Sequence, residues 1–242
     1  MESITIAIPT YNEEKYLPDC LTAIRNQSYK NKFELLVIDN NSTDNTARIA
    51  KSFGARVVKE SQKGSLFAKH CCFSQARGDI VVTTDADSVP PYNWLSCLLA
   101  PFEKDDKVIA VTGLVKYPDN TTVKFNFSSF DQFCQKTINR FLSSPITMRA
   151  PNRAILKNVY FASGGIDVLG APSEDEYFLV KKLRKFGKIV FLPDLIVQTS
   201  DRRQKNRDFS YLFVDLLWKL VINGHIRHFF HKPNYITIKD YR

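Results

Sequence analysis

Val81-Val82-Thr83-Thr84-Asp85-Ala86-Asp87-Ser88 is an apolar, β-branched run that ends abruptly in two carboxylates one residue apart. Such a run reads as a buried strand, and its period-two geometry delivers Asp85 and Asp87 to the rim of a sheet, pointing the same way. Two like charges so placed repel unless something neutralises them. A hard divalent cation, bound through carboxylate oxygen and carrying substrate phosphates, is the natural candidate. Taken alone, an Asp-x-Asp reads as readily as a solvent-facing pair at the start of a loop, so its context decides.

Toward the N-terminus the context is a repeating strand-helix pattern. Ile4-Thr5-Ile6-Ala7-Ile8 is a β run closed by Pro9-Thr10, with turn and helix-start chemistry in Tyr11-Asn12-Glu13-Glu14 and then Leu17, Cys20, Leu21 and Ile24 at helical spacing. Leu35-Leu36-Val37-Ile38 is a second strand ending in Asp39, and Asn40 to Thr46 supplies turn residues and a helix cap from Ser42 or Asp44. A helix through Ile49 and Phe53 stops at Gly54, Ala55-Arg56-Val57-Val58 is a third strand, and Gly64-Ser65 opens a helix toward Ala76. This alternation predicts βαβ units and a mostly parallel sheet flanked by helices, with ligands beyond the carboxyl ends of the strands. Pro9-Thr10-Tyr11, Asp39-Asn40-Asn41 and Asp85-Ala86-Asp87 would then meet on one edge. The glycines form neither GxGxxG nor GxxxxGK[ST], which argues against a dinucleotide fold or a P-loop.

A chain of 242 residues suits one sizeable α/β domain with an appendage. The expected division is a domain over 1–200 followed by a basic, amphipathic helical extension (201–242). Five cysteines without CxxC spacing fit a reducing, cytoplasmic setting, and neither a signal peptide nor an apolar run long enough to cross a bilayer is visible. The net charge of +9 is C-terminal: 14 Lys+Arg stand against 5 Asp+Glu from Lys181 to Arg242, leaving 20 against 20 before it. Such a tail suits nucleic acid, anionic lipid head groups or phosphorylated substrates, or is a solvated face with no partner; for the chain as a whole nucleic acid is the partner least expected.

Ile8-Pro9-Thr10-Tyr11-Asn12-Glu13-Glu14, Val37-Ile38-Asp39-Asn40-Asn41-Ser42-Thr43-Asp44-Asn45-Thr46 and Thr84-Asp85-Ala86-Asp87, in this order and spacing, resemble the nucleotide-sugar-binding half of a family 2 glycosyltransferase of the GT-A fold. The resemblance covers roughly residues 3 to 195 and implies a nucleotide-sugar-binding half (1–115) and an acceptor half (116–200). It implies a Rossmann-like GT-A sandwich and an inverting transferase using a UDP- or GDP-linked sugar with Mn²⁺ or Mg²⁺. It also implies roles for individual residues. Pro9, Thr10 and Tyr11 would line the base pocket, Glu13 would approach the ribose, Asp39 would accept a hydrogen bond from the base, and Lys69 would sit near base or phosphate. Asp85, Ala86 and Asp87 would form the metal and diphosphate site, with both carboxylates as ligands. The plainer readings are a packed Tyr11, an exposed helical Lys69 and an Asp39 that caps the next helix.

Past the metal pair, Leu95, Leu98, Leu99 and Phe102 mark a core-facing helix, and Val108 to Gly113 a strand. Between 117 and 149 the pattern blurs among Phe125, Phe127, Phe130, Phe133 and Phe141, an acceptor-side insertion or membrane-facing surface by one reading and core by the other. Gly164-Gly165-Ile166-Asp167 followed by Glu174-Asp175 resembles the family's acceptor-side signature. By that likeness Gly164, Gly165 and Glu174 line the acceptor and Asp175 is the general base, although Ser173 with three acids in the first turn is also an ordinary helix start. The helix is expected from Ser173 to Phe186, then a strand through Leu192 turning at Pro193-Asp194. The Gln-x-x-Arg-Trp pattern of processive members is absent, which suggests single addition; Arg202 or Arg203 is a weaker candidate for a phosphate contact. Phe209 to Leu220 has helical periodicity, and His225, His228 and His231 are weak metal candidates. The expected acceptor is a glycan or lipid-linked glycan, with peripheral membrane contact through the tail. The rival readings are a GT-A-like nucleotidyltransferase, a glycosidase with paired carboxylates, and a basic lipid- or nucleic-acid-binding protein.

Overall fold

The computed structural model describes residues 2–117, 145, 147–169, 175–200 and 202, with only the backbone of residues 175–177. The expectations for the aromatic segment, for Ser173 and Glu174, and for the tail beyond Arg202 lie outside the described residues. Residues 1–200 form one compact unit and 201–242 a second. All the elements below belong to the first.

In chain order these are β1 (Ile4–Thr10), α1 (Leu17–Arg25), β2 (Glu34–Asp39), α2 (Thr46–Ser52), β3 (Arg56–Lys59), α3 (Ser65–Gln75), β4 (Ile80–Thr83) and β5 (Ser88–Val89). Then come α4 (Trp94–Lys104), β6 (Val108–Lys116), β7 (Arg153–Leu156), α5 (Lys157–Ala162), α6 (Asp175–Leu183) and β8 (Lys188–Thr199). The strands form one sheet in the order β3-β2-β1-β4-β7-β6-β8-β5. Strands β1 to β4 are mutually parallel, as the βαβ pattern requires. The other half is mixed, because β7 enters antiparallel between β4 and β6 and the short β5 pairs antiparallel with β8.

The strands of the sheet's centre are apolar on both faces, and each face is covered. On one, Leu17, Cys20, Leu21 and Ile24 of α1 and Trp94, Leu95, Leu98 and Leu99 of α4 pack on Ile6, Ile8, Val37 and Val82. On the other, Leu66, Cys72 and Phe73 of α3, Tyr160 of α5 and Leu179, Val180 and Leu183 of α6 pack on Ala7, Leu36, Val81 and Ile155. The strand expected to turn at Pro193 continues to Thr199. Gly113 faces Leu192 and Leu114 faces Ile196, so Pro193 sits in a bulge where its missing N–H costs no ladder bond.

Asn152 joins these layers beneath the site. It accepts from Trp94 Nε1 at 2.9 Å and donates to the carbonyls of Leu114 and Leu195 at 2.8 and 2.9 Å. Gly113 is required beside it, since a Cβ there would overlap Asn152 Nδ2 and Leu195 O.

Candidate active site

Strand β1 has β2 on one side and β4 on the other, so the strand order reverses there and the crevice opens at their carboxyl ends. Pro9 is half-buried opposite Ile38. Thr10 is buried; its Oγ1 donates to Ile38 O at 3.0 Å and its carbonyl accepts from Asn40 N–H at 2.9 Å, tying the ends of β1 and β2 together. Tyr11 stands at the rim, 46% exposed. Asn12 (φ 53°) takes the left-handed conformation that Asn tolerates, and its amide N–H donates to Ser42 Oγ while its Oδ1 accepts from Thr43 N–H. Glu14 and Asn45 repeat the clasp one turn further on, where Glu14 Oε2 accepts from Asn45 N–H at 3.0 Å.

Asp39 and Glu13 are both buried, at 8% and 4% exposure. Asp39 Oδ1 accepts from Ser42 N–H at 3.1 Å, which leaves further acceptor capacity at the end of β2. The backbone of Glu13 starts α1, taking the N–H groups of Tyr16 and Leu17 on its carbonyl. Asp44, one residue before the N-cap Asn45, steadies the start of α2 by accepting from Thr46 N–H and Oγ1 at 3.0 and 2.5 Å.

Asn40 and Asn41 hold the loop that leads into α3. Asn40 Nδ2 donates to Glu60 O and Gln62 O, its Oδ1 accepts from Gly64 N–H, and Asn41 Nδ2 donates to Glu60 O and Ser61 O. Being the crossover between β3 and β4, α3 begins at the carboxyl edge, with Lys69 one turn in and half-buried.

At the end of β4, Asp85 and Asp87 are half-buried while Ala86 between them turns into the core at 3% exposure. The Asp85 carbonyl accepts from Ser88 N–H at 3.1 Å and from the Cys20 thiol at 3.5 Å. Burial drives the Cys20 thiol pKa far up, and the charges of Asp85, Asp87 and Glu13 push it further. Asp87 is fixed by the end of β8: Thr199 Oγ1 donates to its Oδ1 at 3.2 Å, Ser88 Oγ donates to Thr199 Oγ1 at 2.9 Å, and Ser200 N–H donates to its carbonyl at 3.2 Å. The alternation of residues in β8 gave no reason to single out Thr199. A threonine ending a strand just before Ser200-Asp201-Arg202 was the only available signal.

Arg153 was also missed as a functional candidate. It is fully buried at the start of β7 opposite Thr83, with Nε donating to Thr83 Oγ1 at 3.1 Å and Nη1 to Met148 O at 3.4 Å. The Cys72 thiol pKa is raised mainly by burial and by Cys71; Arg153 and then Lys69 oppose the rise, and Asp85 adds to it.

Among the residues expected to line the acceptor, Gly164 and Gly165 take φ of 81° and 54°, turning the chain after α5. Asp175 is the first residue of α6, and the turn 184–187 leads from that helix into β8 at the opposite sheet edge. Glu174 is outside the described residues, and Arg202 is half-buried.

Two adjacent carboxylates with a hydroxyl beside one of them suit a hard cation that completes its shell with phosphate oxygens and water. Among the described residues no three His, Cys, Asp or Glu side chains are arranged to hold a metal, so substrate oxygens would complete such a shell. Among them, too, no helix is long and apolar enough to cross a membrane.

A helix-covered mixed sheet with acidic residues at the reversal of strand order is the architecture of a GT-A glycosyltransferase. Residues 5–167 match the family described as Glycosyl transferase family 2, and the chain belongs to that family of enzymes. Glycosyltransferase AglE of Haloferax volcanii is 30% identical over 148 residues, covering 55% of this chain and 46% of that protein. The undecaprenyl-phosphate 4-deoxy-4-formamido-L-arabinose transferase of Pseudomonas fluorescens is 25% identical over 233 residues, 91% of this chain and 65% of that one. The solved mannosyltransferase PcManGT of Pyrobaculum calidifontis, in complex with GDP-Man and Mn²⁺, superposes with a TM-score of 0.71 at 22% identity, over 93% of this chain and 64% of that chain. The chain thus spans about half to two thirds of the length of these proteins, and the last likeness is one of fold.

Proposed function

We propose that this family 2 glycosyltransferase moves one sugar from a UDP- or GDP-linked donor to a hydroxyl of a glycan or lipid-linked acceptor, with inversion. The reading rests on the convergence of Tyr11, Asp39, Asp85 and Asp87 at one sheet edge. Tyr11 offers an exposed ring on which a base can stack, and Asp39 offers an acceptor for a base N–H. Glu13 is the candidate for the ribose side and Lys69 for the phosphates. Asp85 and Asp87 would hold Mn²⁺ or Mg²⁺; the bound ion supplies neutralisation of the charge that builds on the leaving diphosphate. Thr199 keeps the Asp87 carboxylate in one orientation for that role.

Asp175 takes the acceptor proton as the hydroxyl oxygen bonds to the anomeric carbon and the bond from that carbon to the diphosphate oxygen breaks on the opposite face. A single displacement inverts the centre. A lipid-linked glycan as acceptor is supported by the Methanococcus voltae relative named dolichyl N-acetyl-alpha-D-glucosaminyl phosphate 3-beta-D-2,3-diacetamido-2,3-dideoxy-beta-D-glucuronosyltransferase, 28% identical over 127 residues. Incubating the full chain with UDP- and GDP-sugars, Mn²⁺ and an oligosaccharide or lipid-linked oligosaccharide acceptor tests the proposal, the product being read by mass and by its anomeric C–H coupling. One added sugar of inverted configuration is expected; retained configuration or release of pyrophosphate contradicts it.

A further inference from the structure

Helix α6, which opens with Asp175, is joined to the glycine turn by Lys182, two helical turns further on, whose Nζ donates to Gly165 O at 2.8 Å. Gly165 is held from beneath by Tyr160, which is fully buried. The Gly165 N–H donates to Tyr160 O at 2.9 Å, and the Ile166 N–H donates to the Tyr160 hydroxyl at 3.1 Å. The ring lies so close that a Cβ on Gly165 would come within 2.8 Å of it. Tyr160 is in turn fixed to α3: its ring stacks on Phe73 at 3.7 Å and 5°, and its hydroxyl lies 3.0 Å from Nδ1 of His70, the neighbour of Lys69.

An unbroken chain of short contacts therefore runs from α3 on the donor side, through Tyr160 and the glycine turn, to α6. We propose that Lys182 and the Tyr160 hydroxyl are positioning residues for transfer, setting where α6 and thus Asp175 stand relative to the end of β4. The inference rests on Asp175 as the base. Leu179, Val180 and Leu183 already bury the apolar side of α6, so the ammonium-to-carbonyl bond is not needed to attach the helix. It fixes the position of the helix along the sheet. In a displacement reaction an error of about 1 Å in a reacting group costs up to about a hundredfold in rate, which makes such a tether consequential.

The test uses Lys182→Met, which keeps the stem and removes the ammonium, and Tyr160→Phe, which keeps the stacked ring and removes the hydroxyl. Both are expected to lower kcat about tenfold. The donor KM, and the Kd for UDP or GDP with Mn²⁺, should stay within about twofold because neither variant alters Tyr11, Glu13, Asp39, Lys69, Asp85 or Asp87. Unchanged kcat in both variants overturns the inference. So does a fall in donor affinity matching the fall in kcat, which would mark a general structural role. Asp175→Asn, measured alongside, separates the two ideas: turnover at the parent rate there sinks the assignment of the base, whereas loss of turnover there with unchanged kcat in the other two sinks only the positioning role.

Discussion

The two sides of the cleft are held by different kinds of bond. On the donor side, side chains of one loop satisfy the backbone of another: Asn12 with Ser42 and Thr43, Glu14 with Asn45, and Asn40 with residues 60 to 64. On the acceptor side, the Gly164-Gly165 turn rests on an aromatic ring and one lysine. A polar clasp needs particular residue types at particular positions and so leaves a motif. A packing clamp is made from residues that any core contains.

The largest effect expected falls on the donor side. Asp87→Ala removes one of the two proposed anionic ligands and the partner of Thr199, and turnover should drop about a thousandfold while the fold survives, as circular dichroism would register. A fall of less than tenfold would show that the edge carboxylates are not central. The next effect tests the acceptor clamp. Gly165→Ala combines a positive φ with a Cβ driven into a ring that Phe73 prevents from moving, and should cost about 3 kcal/mol in denaturant unfolding. A loss below about 1 kcal/mol would mean that the turn is looser than its contacts imply.

Asn152 and Asn40 show where legibility stops. The three motifs, the βαβ alternation and the stops of α2 and α3 could be read because strands keep period two and helices 3.6, whereas helix α6, expected to reach Phe186, ends at Leu183. The antiparallel entry of β7 could not, since a short apolar run does not encode its direction. The bulge at Pro193 and the roles of Thr199, Arg153 and Tyr160 depend on strands far apart in the chain. The Asn40-Asn41 pair reads as turn chemistry in the sequence, but its hold on the start of α3 exists only in three dimensions. Asn40→Ala measures the strength of that hold, because it removes three hydrogen bonds from a buried side chain. A loss of about 2 kcal/mol is expected in denaturant unfolding, with weaker nucleotide binding as the 60–64 loop loosens.

A smaller effect lies at the opposite edge of the sheet, away from both clamps. Burial alone would raise the Glu34 pKa, but hydrogen bonds from Thr5 Oγ1, Arg77 N–H and Arg56, with the Arg56 charge, hold it below its ordinary 4.5. A carboxylate with a depressed folded-state pKa contributes stability that is complete above the unfolded value and disappears as pH falls through the folded one. Between about pH 6 and pH 3 the parent protein should therefore lose more Tm than Glu34→Gln does, by a few degrees. Parallel Tm curves for the two proteins would contradict that assignment.

The central claim is that Asp85 and Asp87 bind a nucleoside diphosphate through a divalent cation at the end of β4. Calorimetric titration of UDP and of GDP into the full chain, with Mn²⁺ and then with EDTA, addresses it directly. The account predicts binding of at least one of them that requires Mn²⁺ and is lost in Asp87→Ala; binding indifferent to EDTA, or equal in that variant, would contradict it.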